Sequence, residues 1–247
     1  MKKIKNLKTI IDNSKYTVFF GGAGVSTESG IPDFRSEEGL YKAEEIYNHS
    51  PEEILSIDFF TSHMDIFYKY HKENIIHQEA NPNWAHKGLA QLEKMNKLKA
   101  IITQNIDGLH QKAGSKNVLE LHGTVYKNYC MVCGEKYGLD YIMKSKTDVP
   151  KCKKCGGNIR PDVVLYGEGL DTDVIEKAVN HILNADTLIV GGSSLVVHPA
   201  AGLIRYFKGD NLVLINKTPT NFDSSANLTI RELIGETFKK LMDLYSE

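Results

Sequence analysis

A doubly wound α/β fold with a smaller lobe inserted into it is the architecture this sequence predicts. Three observations carry that reading. Short apolar runs rich in β-formers recur along the chain, separated by stretches of helical periodicity. The first of these runs leads into a glycine-rich turn. Two segments interrupt the alternation, and one of them holds all four cysteines of the chain.

The runs come in order. Thr17-Val18-Phe19-Phe20 is first, followed by Lys99–Thr103, Val118–Leu121, Asp162–Tyr166, Thr187–Val190 and Leu212–Ile215, with Asn227–Ile230 as a last short strand. Continuous apolar runs of this length read as strands buried on both faces, which is the mark of a parallel sheet covered by helices. Between them, Trp84 to Lys97 repeats Leu89, Leu92 and Met95, and Asp173 to Leu183 repeats Val174, Ile175, Ala178, Val179 and Ile182. Strands alternating with such helices predict a Rossmann-like sheet. The first interruption, about residues 36–79, is helical in pattern and aromatic-rich, and most of its rings are expected to pack a core of their own. The second, about 125–160, is the cysteine module. The chain then reads as one domain over 1–247, built of two lobes. Its large lobe covers about 1–35, 80–124 and 161–247, its small lobe about 36–79 and 125–160, and a ligand cleft is expected between them.

Composition narrows the function classes. The 247 residues suffice for a sizeable core, and 25% are charged with a formal net charge of −1. Neither a nucleic-acid-binding surface nor a membrane-binding one is expected from that balance. The basic start Met1-Lys2-Lys3-Ile4-Lys5 precedes no apolar stretch of the kind a secretion signal needs, and no run is long enough to cross a membrane. A cytoplasmic protein without an added targeting domain is the expectation.

Cys130, Cys133, Cys152 and Cys155 form two Cys-x-x-Cys pairs separated by an 18-residue gap. That spacing suits a tetrahedral zinc ion with four thiolates. Four protein ligands leave no position for water, so such a metal is structural. Two disulfides or redox pairs are the rival reading, disfavoured for cytosolic thiols. No cysteine remains to act as a nucleophile.

The candidate chemistry lies at strand ends. Gly21-Gly22-Ala23-Gly24-Val25-Ser26-Thr27 follows the first strand, as a phosphate-binding turn does, although Thr27 stands where G-x-G-x-x-G has its third glycine. Gly30-Ile31-Pro32-Asp33-Phe34-Arg35 adds an apolar ring and a fixed cation just beyond. In Gln104-Asn105-Ile106-Asp107, Gln104 and Asn105 suit ribose hydroxyls or an ordered water, and Asp107 can accept from a carboxamide N–H₂. His122-Gly123 offers a general base at a strand end. Gly192-Ser193-Ser194 and Asn216 end two further strands and suit phosphate, ribose or adenine. Each loop has an ordinary structural reading as a polar turn; their joint position at strand carboxyl ends argues for a dinucleotide.

Taken together, these motifs resemble the sirtuins, NAD-dependent protein-lysine deacetylases, over essentially the whole chain. Gly22–Ser26, Gly30–Arg35, Thr103–His110, His122-Gly123, both cysteine pairs, Arg160–Glu168 and Ser193-Ser194-Leu195 carry the resemblance. It implies a Rossmann lobe and a zinc lobe, with NAD and acetyl-lysine entering the cleft from opposite sides. Gly22, Ala23, Gly24, Thr27, Asp33, Phe34, Arg35, Gln104, Asn105, Ile106, Asp107, His122, Ser193, Ser194 and Asn216 would contact NAD. His122 would be the general base toward a ribose hydroxyl, with Asn105 as the second catalytic residue. Val163, Val164, Leu165 and Tyr166 would pair with the peptide as an added strand. The acetyl group would leave on ADP-ribose.

Three departures stand out. Gly21 replaces a threonine usual in the family, and Ser193-Ser194 replaces Thr-Ser. Relatives that remove succinyl or malonyl groups carry Tyr-x-x-Arg, where this chain has Tyr68 and His71. A neutral imidazole cannot replace a guanidinium, so uncharged acyl groups are expected. A mono-ADP-ribosyltransferase or NAD glycohydrolase is the first alternative, and a non-enzymatic zinc-ribbon binding module the second.

Overall fold

Five consecutive residues, Thr17–Gly21, form the central strand β1, and every one is buried. The computed structural model describes residues 1–32 and 44–246. β1 lies between β2 (Ala100–Thr103) and β7 (Thr187–Gly191), and all three run parallel. Six strands complete the sheet in the order β3-β2-β1-β7-β8-β9, with β3 Val118–Glu120, β8 Asn211–Ile215 and β9 Leu228–Ile230. The chain builds outward from β1 on one side, then returns and builds outward on the other. The strand order therefore reverses between β1 and β7, where open α/β sheets bind ligands.

Alternate residues of each strand feed opposite cores. Phe19, Ile101, Ile189 and Val213 pack with Ile4, Leu7 and Ile11 of the helix Lys2–Asn13, Leu89 of the helix Trp84–Lys94 and Phe238 of the helix Ile234–Ser246. Val18, Phe20, Ile102, Leu188 and Val190 pack with Ala178 and Ile182 of the helix Thr172–Asn184. Two of these helices have side-chain N-caps: Asp171 accepts from the Val174 N–H at 3.0 Å, and Asn83 accepts from the Ala85 N–H at 2.8 Å. Among the described residues, no helix is long and apolar enough to cross a membrane.

One expected strand sits elsewhere. The run at Asp162–Tyr166 does not join the parallel sheet. Its first part ends β6 (Ile159–Val163), which pairs antiparallel with β4 (Gly123–Cys130) beside β5 (Lys136–Gly138). Ile159, Pro161 and Val163 are buried, whereas Arg160 and Asp162 are not. That alternation belongs to a half-buried antiparallel strand, and it is hidden when only the apolar stretch is read.

The helical segment also packs differently from expectation. It contains Pro51–Ile54, Ile57–Ser62, Met64–Tyr70 and a π-helical turn, His71–Ile75. Phe59 and Tyr70 pack with Ile54, but Phe60, Phe67 and Tyr68 share a core with Val125, Ile159 and Val163 of the antiparallel sheet and with Leu165 just past it. These rings thus tie the helical segment to the cysteine module, and their own hydrophobic contacts alone do not make a core.

Candidate active site at the strand-order reversal

The loops after β1 and β7 touch backbone to backbone. The Gly24 N–H donates to the Gly192 carbonyl at 2.8 Å. A Cβ on Gly24 would lie 2.8 Å from Gly192 Cα, and one on Gly192, whose φ is +58°, would lie 2.4 Å from Val25 N. These glycines are required by the protein's own packing. The N–H groups of Gly22, Val25 and Ser26 are likewise bonded to Gly191, Gly22 and Ala23 carbonyls. The turn's donors are therefore largely committed inside the fold, which the sequence reading of an exposed amide cradle did not anticipate.

Beyond β2, Gln104 and Asn105 turn to opposite neighbours. Gln104 Nε2 donates to Ser193 Oγ at 3.0 Å, joining the β2 and β7 loops. Asn105 Nδ2 donates to Ser26 Oγ at 3.0 Å, and Ser26 Oγ in turn donates to Asp107 Oδ2 at 2.6 Å. Asp107 Oδ1 accepts from the Leu109 N–H at 2.9 Å. Burial pushes the Asp107 carboxyl above its ordinary range, against the Ser26, Leu109 and Asn105 hydrogen bonds and the charge of His77, which all pull it down. The carboxylate keeps further acceptor capacity.

His122 follows β3, and its Nδ1 lies 2.9 Å from the Gln104 carbonyl oxygen. A carbonyl only accepts, so the neutral ring carries its proton on Nδ1, and Nε2 is the basic nitrogen. Gly123 comes next at φ +73°, with its Cα so close to β6 that a Cβ would lie 2.1 Å from the Asp162 carbonyl oxygen.

One cleft gathers Ala23, Gln104, Asn105, Ile106, Asp107, His122, Val163, Val164, Leu165 and Tyr166. Gly22, Gly24, Thr27, Ser193, Ser194 and Asn216 are not among the described residues that line it. Asn216 Nδ2 is held by the Ser193 and Thr218 carbonyls at 3.0 and 3.2 Å, and Ser194 is exposed. Asp33, Phe34 and Arg35 lie outside the described residues. In Val163–Tyr166, the Val164 N–H donates to the His122 carbonyl at 3.0 Å and the Tyr166 N–H to that of Leu55 at 2.9 Å. The Leu165 N–H donates to Glu168 Oε2 at 2.9 Å, and Glu168 is itself clamped by Arg160 at 2.8 and 2.9 Å. Arg160 holds the Glu168 carboxyl below its usual range, and burial only partly offsets it.

Residues 22–199 match the Sir2 family. The chain belongs to it. A Sir2-family protein of Clostridium acetobutylicum, named NAD-dependent protein deacetylase, is 57% identical over 242 residues, covering 98% of this chain and 99% of its own. One of the same name from Clostridium tetani is 59% identical over 231 residues, 94% of each chain. A solved structure described as "Sir2-p53 peptide-NAD+" has a TM-score of 0.88 at 41% identity, covering 99% of both chains. Another, "Sir2Tm bound to a propionylated peptide", has a TM-score of 0.87 at 42% identity over 99% of both.

As the spacing of the two Cys-x-x-Cys pairs predicts, the four cysteines come together. Their sulfurs lie within 4.8 Å of one another, with Cys130–Cys155 at 3.5 Å and Cys133–Cys152 at 3.6 Å, and no disulfide joins them. A tetrahedral ion with metal–sulfur bonds of about 2.3 Å sets its sulfurs about 3.8 Å apart, so the cluster fits zinc. The Val132 and Lys154 N–H groups each approach a sulfur at 3.4 Å, and the Tyr137 hydroxyl donates to Cys152 Sγ at 3.1 Å. These donors stabilise thiolates.

Two residues that line this Sir2 cleft, Ser26 and Glu168, and one behind it, Arg160, escape the sequence reading as functional candidates. Ser26 is the shared partner of Asn105 and Asp107. Arg160 and Glu168 meet across eight residues, a spacing without periodicity. All three stand inside motifs, but only the fold shows what they touch.

Proposed function

We propose that this chain removes acetyl groups from protein lysine side chains in an NAD-dependent reaction. The observation that carries it is the pairing of His122, its tautomer fixed by Gln104, with the half-buried Asp107–Ser26–Asn105 network in one cleft. Likeness over nearly full length to proteins named NAD-dependent protein deacetylase supports it. When bound, NAD would supply an electrophilic ribose carbon, where the acetyl oxygen replaces departing nicotinamide; water then frees the lysine amine and the acetyl group is carried off on ADP-ribose.

The donor set suits that cosubstrate. Asp107 retains lone pairs for a carboxamide N–H₂, and Ile106 beside it excludes water. Gln104 and Asn105 are placed by Ser193 and Ser26 for ribose hydroxyls. His122 Nε2 takes a proton from one of those hydroxyls as general base. Ser193, Ser194 and Asn216 hold the phosphate and adenosine end, with Gly22, Ala23, Gly24, Thr27, Asp33, Phe34 and Arg35 completing the NAD contacts. An added peptide strand pairs along Val163–Tyr166 through the acceptor capacity that remains there: the N–H groups of Val164, Leu165 and Tyr166 are spent, and the Val163, Leu165 and Tyr166 carbonyls already accept one bond each from Arg160, Glu168 and Ile57, which leaves their second lone pairs and the Val164 carbonyl. Zinc, held by the four cysteines, is structural. Uncharged acyl groups are preferred, the location is cytoplasmic, and the lobe division is 1–35, 80–124 and 161–247 against 36–79 and 125–160.

The test is mass spectrometry of NAD with an acetyl-lysine peptide, using wild type and His122→Ala. Free lysine, nicotinamide and O-acetyl-ADP-ribose are expected together, with turnover about 10²–10⁴-fold lower in the variant. Nicotinamide release that leaves the acetyl group in place would replace this reading with a glycohydrolase or ADP-ribosyltransferase.

A further inference from the structure

His71 begins the π-helical turn that ends the helical segment, and its side chain lines the cleft while only 1% exposed. Its ring stacks on Phe67, centroids 5.3 Å apart at 15°, and meets the edge of Tyr68 at 6.3 Å. Among the described residues, neither ring nitrogen has a hydrogen-bond partner. A buried polar group left unsatisfied costs free energy, so a cleft-lining one marks where a ligand's polar atom is met. π-turns inside helices commonly mark functional positions.

The neighbours that could have served are committed. The Tyr68 hydroxyl donates to the Ile159 carbonyl at 2.6 Å. The Asn74 amide donates to Tyr47 Oη at 3.1 Å and to the Tyr70 carbonyl at 3.3 Å, and His77 Nε2 is 3.1 Å from the Asn74 carbonyl. Phe67 and Tyr68 share their core with Val163, Leu165 and Ile106. The wall beside the peptide segment thus sets one unpartnered imidazole among apolar groups, with the Asn74 and His77 side chains, already engaged in hydrogen bonds, also lining the cleft. Burial, and to a lesser degree Lys72, lowers that imidazole to about 4, so it is neutral at pH 7.

A neutral imidazole presents one N–H donor and one bare nitrogen acceptor. An alkyl chain satisfies neither. A carboxylate only accepts, and it loses its hydration on entering an apolar wall. A hydroxyl both donates and accepts, so it suits either tautomer. We infer that His71 is a specificity-determining residue that selects lysines bearing short hydroxyacyl groups over their alkyl isosteres. The inference rests on the deacylase reading and names a substrate class for the same cleft.

The experiment compares kcat/KM on one peptide carrying acetyl-, propionyl-, 2-hydroxypropionyl-, butyryl-, 3-hydroxybutyryl- or 4-hydroxybutyryl-lysine. The enzymes are wild type, His71→Leu and His71→Gln, each checked for a cooperative melt. At least one hydroxyacyl peptide is expected to exceed its alkyl isostere by roughly 5-fold or more in wild type, as one satisfied buried hydrogen bond allows. His71→Leu should abolish that ratio, and His71→Gln, which keeps a donor and an acceptor, should retain part of it. No preference in wild type, a preference that survives in His71→Leu, or one lost equally in both variants overturns the inference. Acetyl turnover separates the two claims: if it is present, such a result sinks only the role of His71, and if every acyl peptide is inert the deacylase reading falls with it.

Discussion

Ser26 Oγ is the single atom on which two cleft residues converge, accepting from Asn105 and donating to Asp107. Removing it leaves the Asn105 amide and the half-buried Asp107 carboxylate each one partner short. Ser26→Ala is expected to cost about 1–3 kcal/mol of stability, the usual penalty for a stranded buried polar group. The sign with pH follows from Asp107. Its carboxyl is already raised in the folded state, chiefly by burial, and Ser26 pulls it down. The variant raises it further, so its added instability is smallest below the ordinary carboxylate range and grows as pH rises through the elevated folded value. Denaturant titrations of both proteins from pH 4 to pH 8 check this; a stability gap that shrinks with rising pH would contradict it.

At the scale of the element, β4 and β6 fix the position of His122. Gly123 opens β4 in the left-handed region, pressed against the Asp162 carbonyl. The Val164 N–H, just past β6, holds the His122 carbonyl. Gly123→Ala forces both a strained φ and a backbone collision, so the two strands must part. About 2 kcal/mol or more of stability should be lost. Turnover should fall further than at the same fraction folded in a remote destabilised variant, because the His122 imidazole, the proposed general base, moves with the strand. Equal turnover per folded molecule would show that the strand pair does not position His122. The Arg160–Glu168 clamp belongs to the same assembly, since Glu168 orders the Leu165 N–H.

Across the whole molecule, the zinc cluster and the cleft are joined by one hydrophobic core. Cys130 and Cys152 are buried with Val125, Phe60, Tyr68, Val163 and Leu165. The last two line the cleft. Metal removal should therefore act at a distance. Chelation, or Cys152→Ser, is expected to lower the melting temperature and abolish peptide turnover, although no cysteine lines the cleft. Metal analysis should find about one zinc per chain before chelation and none after. Full activity in a zinc-free protein would break the link between the core and the site.

The sequence by itself determined the elements and the chemistry-bearing loops. Buried strands announce themselves as continuous apolar runs, glycines and polar residues cluster at their ends, and Cys-x-x-Cys spacing is local enough to read directly. The half-buried strand at Ile159–Val163 was not legible in that way, because its alternation is masked by the apolar residues that follow. The tertiary structure alone decided which side chains meet. Ser26 reaches Asp107 across 81 positions, Gln104 reaches Ser193 across 89, and Tyr68 reaches Ile159 across 91. Such contacts depend on strand order and lobe packing, which no local pattern encodes. The same holds for His71: the sequence shows a histidine on a helical segment, and only packing makes it the unpartnered imidazole in the cleft wall.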